Sequence, residues 1–291
     1  MRRVALTSLD RVLWPATGFT KGDMLAYYEA IAPWLLPHLM GRPLTLGRFP
    51  AGIDGPGFAQ TECRGRPDWM RTEAVRLRTG EVRHQCVVDD LDSLLWVANL
   101  GSIELHAFPA RAGRPDEPAF VVFDLDPGPG ADLLDCCRVA LWVRAALGDV
   151  GLDGFAKASG GAGVHVEVPL AAGHRFDAAR TFARDMAGRL AARQRSTVTD
   201  RRAREARTGK VLVDWMPTAP RALMVVPYSL RATDRPSVAT PLRWAEIEQA
   251  LELRCADALR YEPSAVVERA GRLGDLHAPM LETTQRLPSV R

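Results

Sequence analysis

No apolar run in the 291 residues approaches the roughly 20 needed to cross a bilayer as a helix, and the N-terminus carries no secretory pattern. A membrane-bound or exported protein is not expected; a cytoplasmic one, associated with the nucleoid, is. Cysteine is scarce. Cys63, Cys86, Cys136, Cys137 and Cys255 form no C-x-x-C pair and no zinc-ligand spacing. Their odd, scattered count leads us to expect reduced thiols, with Cys136-Cys137 packed inside a helix. Internal repeats and low-complexity segments are also missing, which excludes solenoids and disordered arrays. Net charge is only +3, so overall charge selects no partner.

What is present is the composition of a globular protein, 47% hydrophobic and 25% charged. The length suits one large domain or two ordinary ones. The small net charge conceals a cluster. Arg193, Arg195, Arg201, Arg202, Arg204, Arg207 and Lys210 stand against only Asp200 and Glu205. Such a run is either a solvated face or the footprint of a polyanion.

The spacing predicts an extended lead-in at Leu9 to Pro15. A Thr20/Asp23 capping box then opens a helix with Met24, Tyr28, Ile31 and Leu35 on one face, ended by Pro37. Leu44 to Phe49 reads as a strand, Leu77 to Val88 as a hairpin around Thr79-Gly80-Glu81, and Asp92 to Leu100 as a helix stopped at Gly101. A short strand holds Ile103 to His106, and Arg111 to Pro118 reads as a linker. Helices are expected at 132–147, at 177–190 with Phe182, Met186 and Leu190 on one face, and at 242–253. The strands Gly154 to Ala158 and Val164 to Val168 read as a βαβ-like unit around a Ser-Gly-Gly turn. Further strands cover 211–215 and 223–227. After Ser264 we expect one weak helix and a polar tail.

Val121-Val122-Phe123-Asp124-Leu125-Asp126-Pro127-Gly128 is a buried strand stopped by Pro and Gly. Residues two apart on a strand share a face, so Asp124 and Asp126 stand side by side, roughly 6–7 Å apart along the backbone. Two such carboxylates repel unless a cation lies between them, and Mg²⁺ or Mn²⁺ is the natural occupant. The plainer reading has one Asp capping a helix and the other solvated. A third strand ending in an acid, Asp214, changes the chemistry: three Asp residues can hold two ions that activate a 3′-hydroxyl and steady a leaving pyrophosphate. The loop Ser159-Gly160-Gly161-Ala162-Gly163 suits phosphate oxygens, because glycines let backbone N–H groups approach closely. Ser159 and His165 can add donors there.

With these motifs in hand, the chain resembles the polymerase domain of bacterial ligase D, a branch of the archaeo-eukaryotic primase superfamily. The resemblance spans about Leu9 to Leu259. It is carried by Leu9 to Pro15 with Thr20-Lys21, Gly41-Arg42-Pro43, Ile103 to His106, Phe123 to Gly128, Ser159 to His165, Gly209 to Trp215, and Pro227 to Arg231 with Thr240-Pro241-Leu242. The fold it implies is α/β (α+β), a two-lobed primase-like catalytic domain with mixed and antiparallel sheets flanked by helices. We expect a single domain over 1–291, with an N-terminal lobe at about 1–112, a catalytic lobe at about 113–262 and a C-terminal tail at about 263–291.

The activity the resemblance implies is template-directed nucleotidyl transfer with two Mn²⁺ or Mg²⁺ ions, often preferring ribonucleoside triphosphates. Its setting would be gapped or broken duplex DNA bearing a 5′-phosphate. Asp124, Asp126 and Asp214 match the family's metal-binding acids. Ser159, His165, His106, Lys210 and Arg231 match positions near the incoming nucleotide. Arg11 and Lys21 match basic residues that hold a downstream 5′-phosphate, and Arg48, Phe58 and Arg207 match positions at the nucleic acid. No ligase or nuclease module is recognised, so sealing is expected from a separate DNA ligase, together with an end-binding protein.

Departures from the family pattern are also legible. Ala162 stands where relatives often carry Lys, and Gly47 where a basic residue often precedes Arg48. The aromatic pair and following Lys of relatives appear as Phe58, Ala59 and Thr61, and an expected Gln-Asn is Pro217-Thr218. Each lost charge removes a phosphate contact. A gap-working polymerase is therefore expected ahead of a strong end-bridging one. The competing readings are a weak or inactive relative that only binds nucleic acid, an Asp-x-Asp phosphatase, and a purely structural α/β domain.

Overall fold

In the computed structural model, which describes residues 3–76 and 79–288, the chain builds two units and enters each more than once. One unit comprises Met1–Ala112, Leu223–Ala239 and Tyr261–Asp275; the other comprises Gly113–Ala222, Thr240–Arg260 and Leu276–Arg291. Elements are numbered along the chain. The first pass through the first unit gives β1 (Val12–Trp14), β2 (Phe19–Thr20), α1 (Lys21–Leu39), β3 (Pro43–Arg48), β4 (Phe58–Gln60), β5 (Thr72–Arg76), β6 (Val82–Val87), α2 (Leu91–Asn99), β7 (Ser102–Ala107) and β8 (Ala110–Arg111). The second unit begins with β9 (Arg114–Pro118), β10 (Phe120–Pro127), α3 (Leu133–Gly148), β11 (Phe155–Ala158), β12 (Val164–Pro169), α4 (Phe176–Arg193), β13 (Val198–Thr199), α5 (Arg204–Arg207) and β14 (Val211–Asp214). There follow β15 (Met224–Val225), β16 (Leu230–Arg231) and β17 (Ser237–Val238) in the first unit, β18 (Pro241–Leu242) and α6 (Trp244–Glu252) in the second, α7 (Pro263–Leu273) in the first and α8 (Pro279–Glu282) in the second.

The first unit is a sheet of order β15-β7-β3-β6-β5, with β4 also paired to β3 and every pairing antiparallel. Its apolar face carries Leu44, Leu46, Ile103 and Leu105, in one core with Met24, Tyr28, Ile31 and Leu35 of α1. The expected capping box is formed, Thr20 and Asp23 each satisfying the other's backbone N–H. Pro37 does not end that helix. Pro33 and Pro37 both lie inside it, and burial of Ile31, Leu35 and Leu39 outweighs the missing N–H groups. The hairpin is also present, but its strands are β5 and β6; Leu77, where we expected it to begin, lies outside the described residues. A second correction concerns the thiols. Cys63 and Cys86 form a disulfide, their Cα atoms 5.1 Å apart. The Cys63 N–H donates to the His84 carbonyl at 2.7 Å, bringing the segment after β4 alongside β6. Sequence spacing could not show that approach. Cys136 and Cys137 are free and buried, and Cys255 is free and exposed.

The second unit is a sheet of order β13-β14-β10-β12-β11-β18, antiparallel except for the β13–β14 pair. Val121, Phe123 and Leu125 of β10, Val164, Val166 and Val168 of β12, and Val213 of β14 are fully buried, and α3 and α4 pack on this sheet. Alternation sends Val122, Asp124 and Asp126 to the opposite face. The expected βαβ-like unit is instead an antiparallel hairpin, β11 to β12: the Ser159–Gly163 turn is too short for the crossover that parallel strands need. Arg111 to Pro118, expected as a linker, contains β9. In α4 the buried face is Ala179, Ala183, Met186, Ala187 and Leu190, with Phe182 only half-buried. Nor is the C-terminal stretch a free tail. The Asp153 N–H donates to Gln285 Oε1 (2.7 Å), and the Ala171 N–H to the Gln285 carbonyl (2.8 Å).

Among the described residues no helix is long and apolar enough to cross a membrane.

Candidate active site

The site in the second unit is built from one rung of its sheet. Asp124 on β10 stands directly opposite Asp214 on β14 and opposite His165 on β12, and His165 stands opposite Lys157 on β11. Residues directly opposite in a ladder share a face, so Asp214, Asp124, His165 and Lys157 form a line across four strands. Asp126 lies two residues along from Asp124 on the same face. The three acids are thus on one side of the sheet, opposite the buried valines.

The electrostatics of this face are uneven. Burial, and then the neighbouring Asp124 carboxylate, push the Asp126 carboxyl above its ordinary value, against the pull of Arg207 and His165. Burial likewise raises Asp214, although its oxygens are engaged: the Met216 N–H donates to Oδ1 (2.9 Å), and Arg202 Nη2 lies 2.8 Å from Oδ2. His165 Nε2 is 3.2 Å from Asp124 Oδ1, while its Nδ1 is buried without a partner among the described residues.

Two glycines explain how the loops close on the acids. A Cβ on Gly128 would fall 1.9 Å from the Arg207 carbonyl oxygen, and one on Gly163 would fall 2.3 Å from the Leu125 carbonyl oxygen. Only glycine permits either approach. The Gly128 N–H donates to the Lys210 carbonyl (2.8 Å) and the Gly209 N–H to the Pro129 carbonyl (2.7 Å), so the turn after β10 is stitched to the turn that carries Arg207 and Lys210. Arg207 Nη2 reaches the Pro127 carbonyl at 3.4 Å, and its Nε is buried without a partner among the described residues. Ser159 Oγ accepts from the N–H groups of Gly161 (3.2 Å) and Gly163 (3.1 Å), so it shapes the glycine loop from within. Thr218, one of the departures, is fully buried. Its Oγ1 accepts from the Val122 N–H (3.0 Å) and donates to the Val122 carbonyl (3.1 Å), continuing the β10 ladder where β14 ends.

A separate cluster lies in the first unit. Glu104 accepts from His106 Nε2 (2.8 Å), Arg231 Nε (3.0 Å) and the Ala232 N–H (3.0 Å). Burial works against its ionisation, but His106 and Arg231 prevail and hold its pKa at about 2. Gly47 stands opposite Glu104, and a Cβ there would meet the Glu104 Cβ at 2.9 Å, so glycine leaves room for this carboxylate. Arg48 is tied to the Leu100 carbonyl (Nε 2.9 Å, Nη2 2.6 Å) and to Gln60 Oε1 (2.6 Å), with its guanidinium 5.3 Å from the ring centre of half-exposed Phe58. Lys21 is buried, donating to the Thr7 carbonyl (2.7 Å); burial, and then nearby Arg11, lower its pKa. Arg11 is exposed and donates to the Pro50 carbonyl at 2.7 Å.

The structure therefore brings Asp124, Asp126, Asp214, His165, Ser159, Arg207 and Lys210 together in one unit, and His106 with Arg231 in the other. Sequence reasoning missed Glu104, Arg202, Glu167 and His277. Glu104 had a signal in its i, i+2 spacing from His106 on a strand, and Arg202 in its place within the basic run; Glu167 and His277 had none.

Comparison with known proteins agrees with these motifs. The family described as "LigD, primase-polymerase domain" matches residues 20–277. This chain belongs to that family. It is thereby a nucleotidyltransferase of the primase-polymerase type. The "Multifunctional non-homologous end joining protein LigD" of Mycolicibacterium smegmatis is 36% identical over 281 residues, which cover 96% of this chain and 36% of that protein. The "Bifunctional non-homologous end joining protein LigD" of Bacillus subtilis is 28% identical over 86% of this chain and 40% of its own length. The chain thus spans just over a third of these relatives. The solved "Polymerase Domain from Mycobacterium tuberculosis Ligase D in complex with DNA" superposes with a TM-score of 0.90 at 32% identity, covering 98% of this chain and 100% of that one.

Proposed function

We propose that the protein adds nucleotides, ribonucleotides by preference, to a primer 3′-hydroxyl at gaps or double-strand breaks in DNA. The observation that carries this reading is the Asp214–Asp124–His165 rung with Asp126 beside it. The donor set fits a hard divalent cation, for it consists of carboxylates on one face, two of them raised in pKa, first by burial and then by their acidic neighbours. Among the described residues no three His, Cys, Asp or Glu side chains are already gathered as a metal cluster, and Asp214 is turned to Arg202 and the Met216 N–H. Asp124, Asp126 and Asp214 would hold Mn²⁺ or Mg²⁺, two ions in all, supplying charge neutralisation at the phosphates and a more acidic 3′-hydroxyl.

The protein's own groups have separable tasks. His165 is placed to donate to a triphosphate oxygen while its contact with Asp124 fixes the ring. The Ser159–Gly163 loop, held in shape by Ser159 Oγ through the N–H groups of Gly161 and Gly163, faces the anionic oxygens; Arg207 adds positive charge beside Asp126, and Lys210 stands on the same turn as Arg207. His106 and Arg231, steadied by Glu104, serve the nucleotide. Arg11 and Lys21 take a downstream 5′-phosphate, their mutual repulsion being relieved by an anion. Arg48 and Phe58 meet the nucleic acid as a stacked pair.

Ala162 and Gly47 thin the phosphate contacts, which favours work on gaps over strong bridging of ends. The same departures support a second reading, a weakly active relative that mainly binds nucleic acid. End joining would also require a ligase activity and an end-binding protein.

The test is extension of a gapped, 5′-phosphorylated duplex with each nucleotide type and each metal. Ribonucleotide addition with Mn²⁺, lost in Asp126→Ala, is the expected result. Absence of extension under every condition would leave the binding reading.

A further inference from the structure

We propose that Lys157, Glu167 and His277 form a buried relay whose task is to position His165. This rests on the triphosphate role given to His165 above. Lys157 Nζ pairs with Glu167 Oε1, and His277 Nε2 lies 2.7 Å from Glu167 Oε2, so both carboxylate oxygens are engaged. Exposure is 1% for Lys157, 4% for Glu167 and 1% for His277.

The placement argues for a role beyond packing. Lys157 stands directly opposite His165, and Glu167 lies two residues along His165's own strand on the same face. From its place opposite His165, the Lys157 side chain reaches diagonally along the strands to Glu167. His165 therefore stands in register between Lys157 on β11 and Asp124 on β10, with its Nε2 3.2 Å from Asp124 Oδ1. Stability alone does not call for this arrangement, since apolar residues of similar volume commonly serve a buried site as well as an ion pair or better. The opposite face of the same strands is wholly apolar, with Ala156 and Ala158 on β11 and Val164, Val166 and Val168 on β12. Burial opposes ionisation of Glu167, yet Lys157 and His277 hold its carboxyl well below the usual range, so it stays a carboxylate. His277 also ties the C-terminal piece of this unit to the strand carrying His165.

The experiment uses the full chain and three variants: Lys157→Met/Glu167→Gln, which removes both charges together, and His277→Leu beside His277→Gln. Nucleotide KM and kcat are measured on a primed template with Mn²⁺. Histidine-labelled protein without nucleotide gives the His165 imidazole NMR signals, and melting temperature is followed alongside. We expect the double variant and His277→Leu to raise KM about tenfold, with kcat within about twofold, and to shift or broaden the His165 signals. His277→Gln, which keeps a hydrogen bond to Glu167, should resemble wild type. Unchanged KM and unchanged His165 signals in the double variant, whatever the melting temperature, overturn the proposal. The imidazole signals need no turnover. A chain that extends no primer would sink the polymerase reading and still leave the relay decided.

Discussion

Two carboxylate sites, one in each unit, have been solved in opposite ways. Glu104 has its positive charge built in. Arg231, His106 and a backbone N–H surround it, and its pKa is held at about 2. On the other sheet Asp126 and Asp214 are pushed up, because the fold buries acids near one another with too little compensating charge. A carboxylate satisfied by the protein orients its neighbours. One left short of charge is prepared for something that arrives later, and two such carboxyls on the same sheet face as Asp124 favour a divalent cation.

The sharpest way to break this contrast is Asp126→Ala. Primer extension should fall by on the order of 10³, the loss typical when a preorganised electrostatic group at the reacting centre is removed. A residual rate near wild type would mean the raised acids are not the metal site.

Glu104→Gln tests the other half. A folded pKa below the unfolded value contributes stability that is present above the unfolded pKa and lost as pH falls through the folded one. The window therefore runs from 4.5 down to about 2. The shift corresponds to on the order of 3 kcal/mol, so the variant should melt several degrees lower at neutral pH. The gap should close across that window in a pH series of melting curves.

Asp126→Asn should act in the reverse direction. A carboxyl raised by folding makes the folded state bind the proton more tightly than the unfolded chain, so ionisation costs stability as pH rises through the raised value. Neutralising it should raise the metal-free melting temperature at pH 7, a smaller change than that of Glu104→Gln. Mn²⁺ should then stabilise wild type but not the variant.

The smallest effect concerns Arg202, which is 2.8 Å from Asp214 Oδ2 and exposed. It stands where a cation would compete. An exposed ion pair is worth up to about 1 kcal/mol, so Arg202→Ala should tighten Mn²⁺ binding by about fivefold, read from the free-ion EPR signal. Weaker binding in that variant would show Arg202 supporting the acid instead of occupying its place.

Much of the site was legible because it is local. Asp124 and Asp126 on a period-2 strand had to share a face, and the Pro-Gly stop and Ser-Gly-Gly turn announced close backbone approaches. The structure gives their reasons in the carbonyls of Arg207 and Leu125. What stayed hidden was non-local. Pro37 looked like a helix end until the core contacts of Leu35 and Leu39 were visible, and the hairpin after Gly154 looked parallel because periodicity carries no direction. The Cys63–Cys86 bond depends on a backbone segment lying beside β6.

The sequence alone determined which residues alternate, where glycine must bend the chain, and which acids, histidines and arginines were on offer. Those are properties of neighbouring residues and of chain geometry. Strand register was decided only in three dimensions, because it depends on which apolar faces pack together. Register put Asp214 opposite Asp124, gave His165 its place beside Lys157, and surrounded Glu104 while leaving Asp126 short of positive charge.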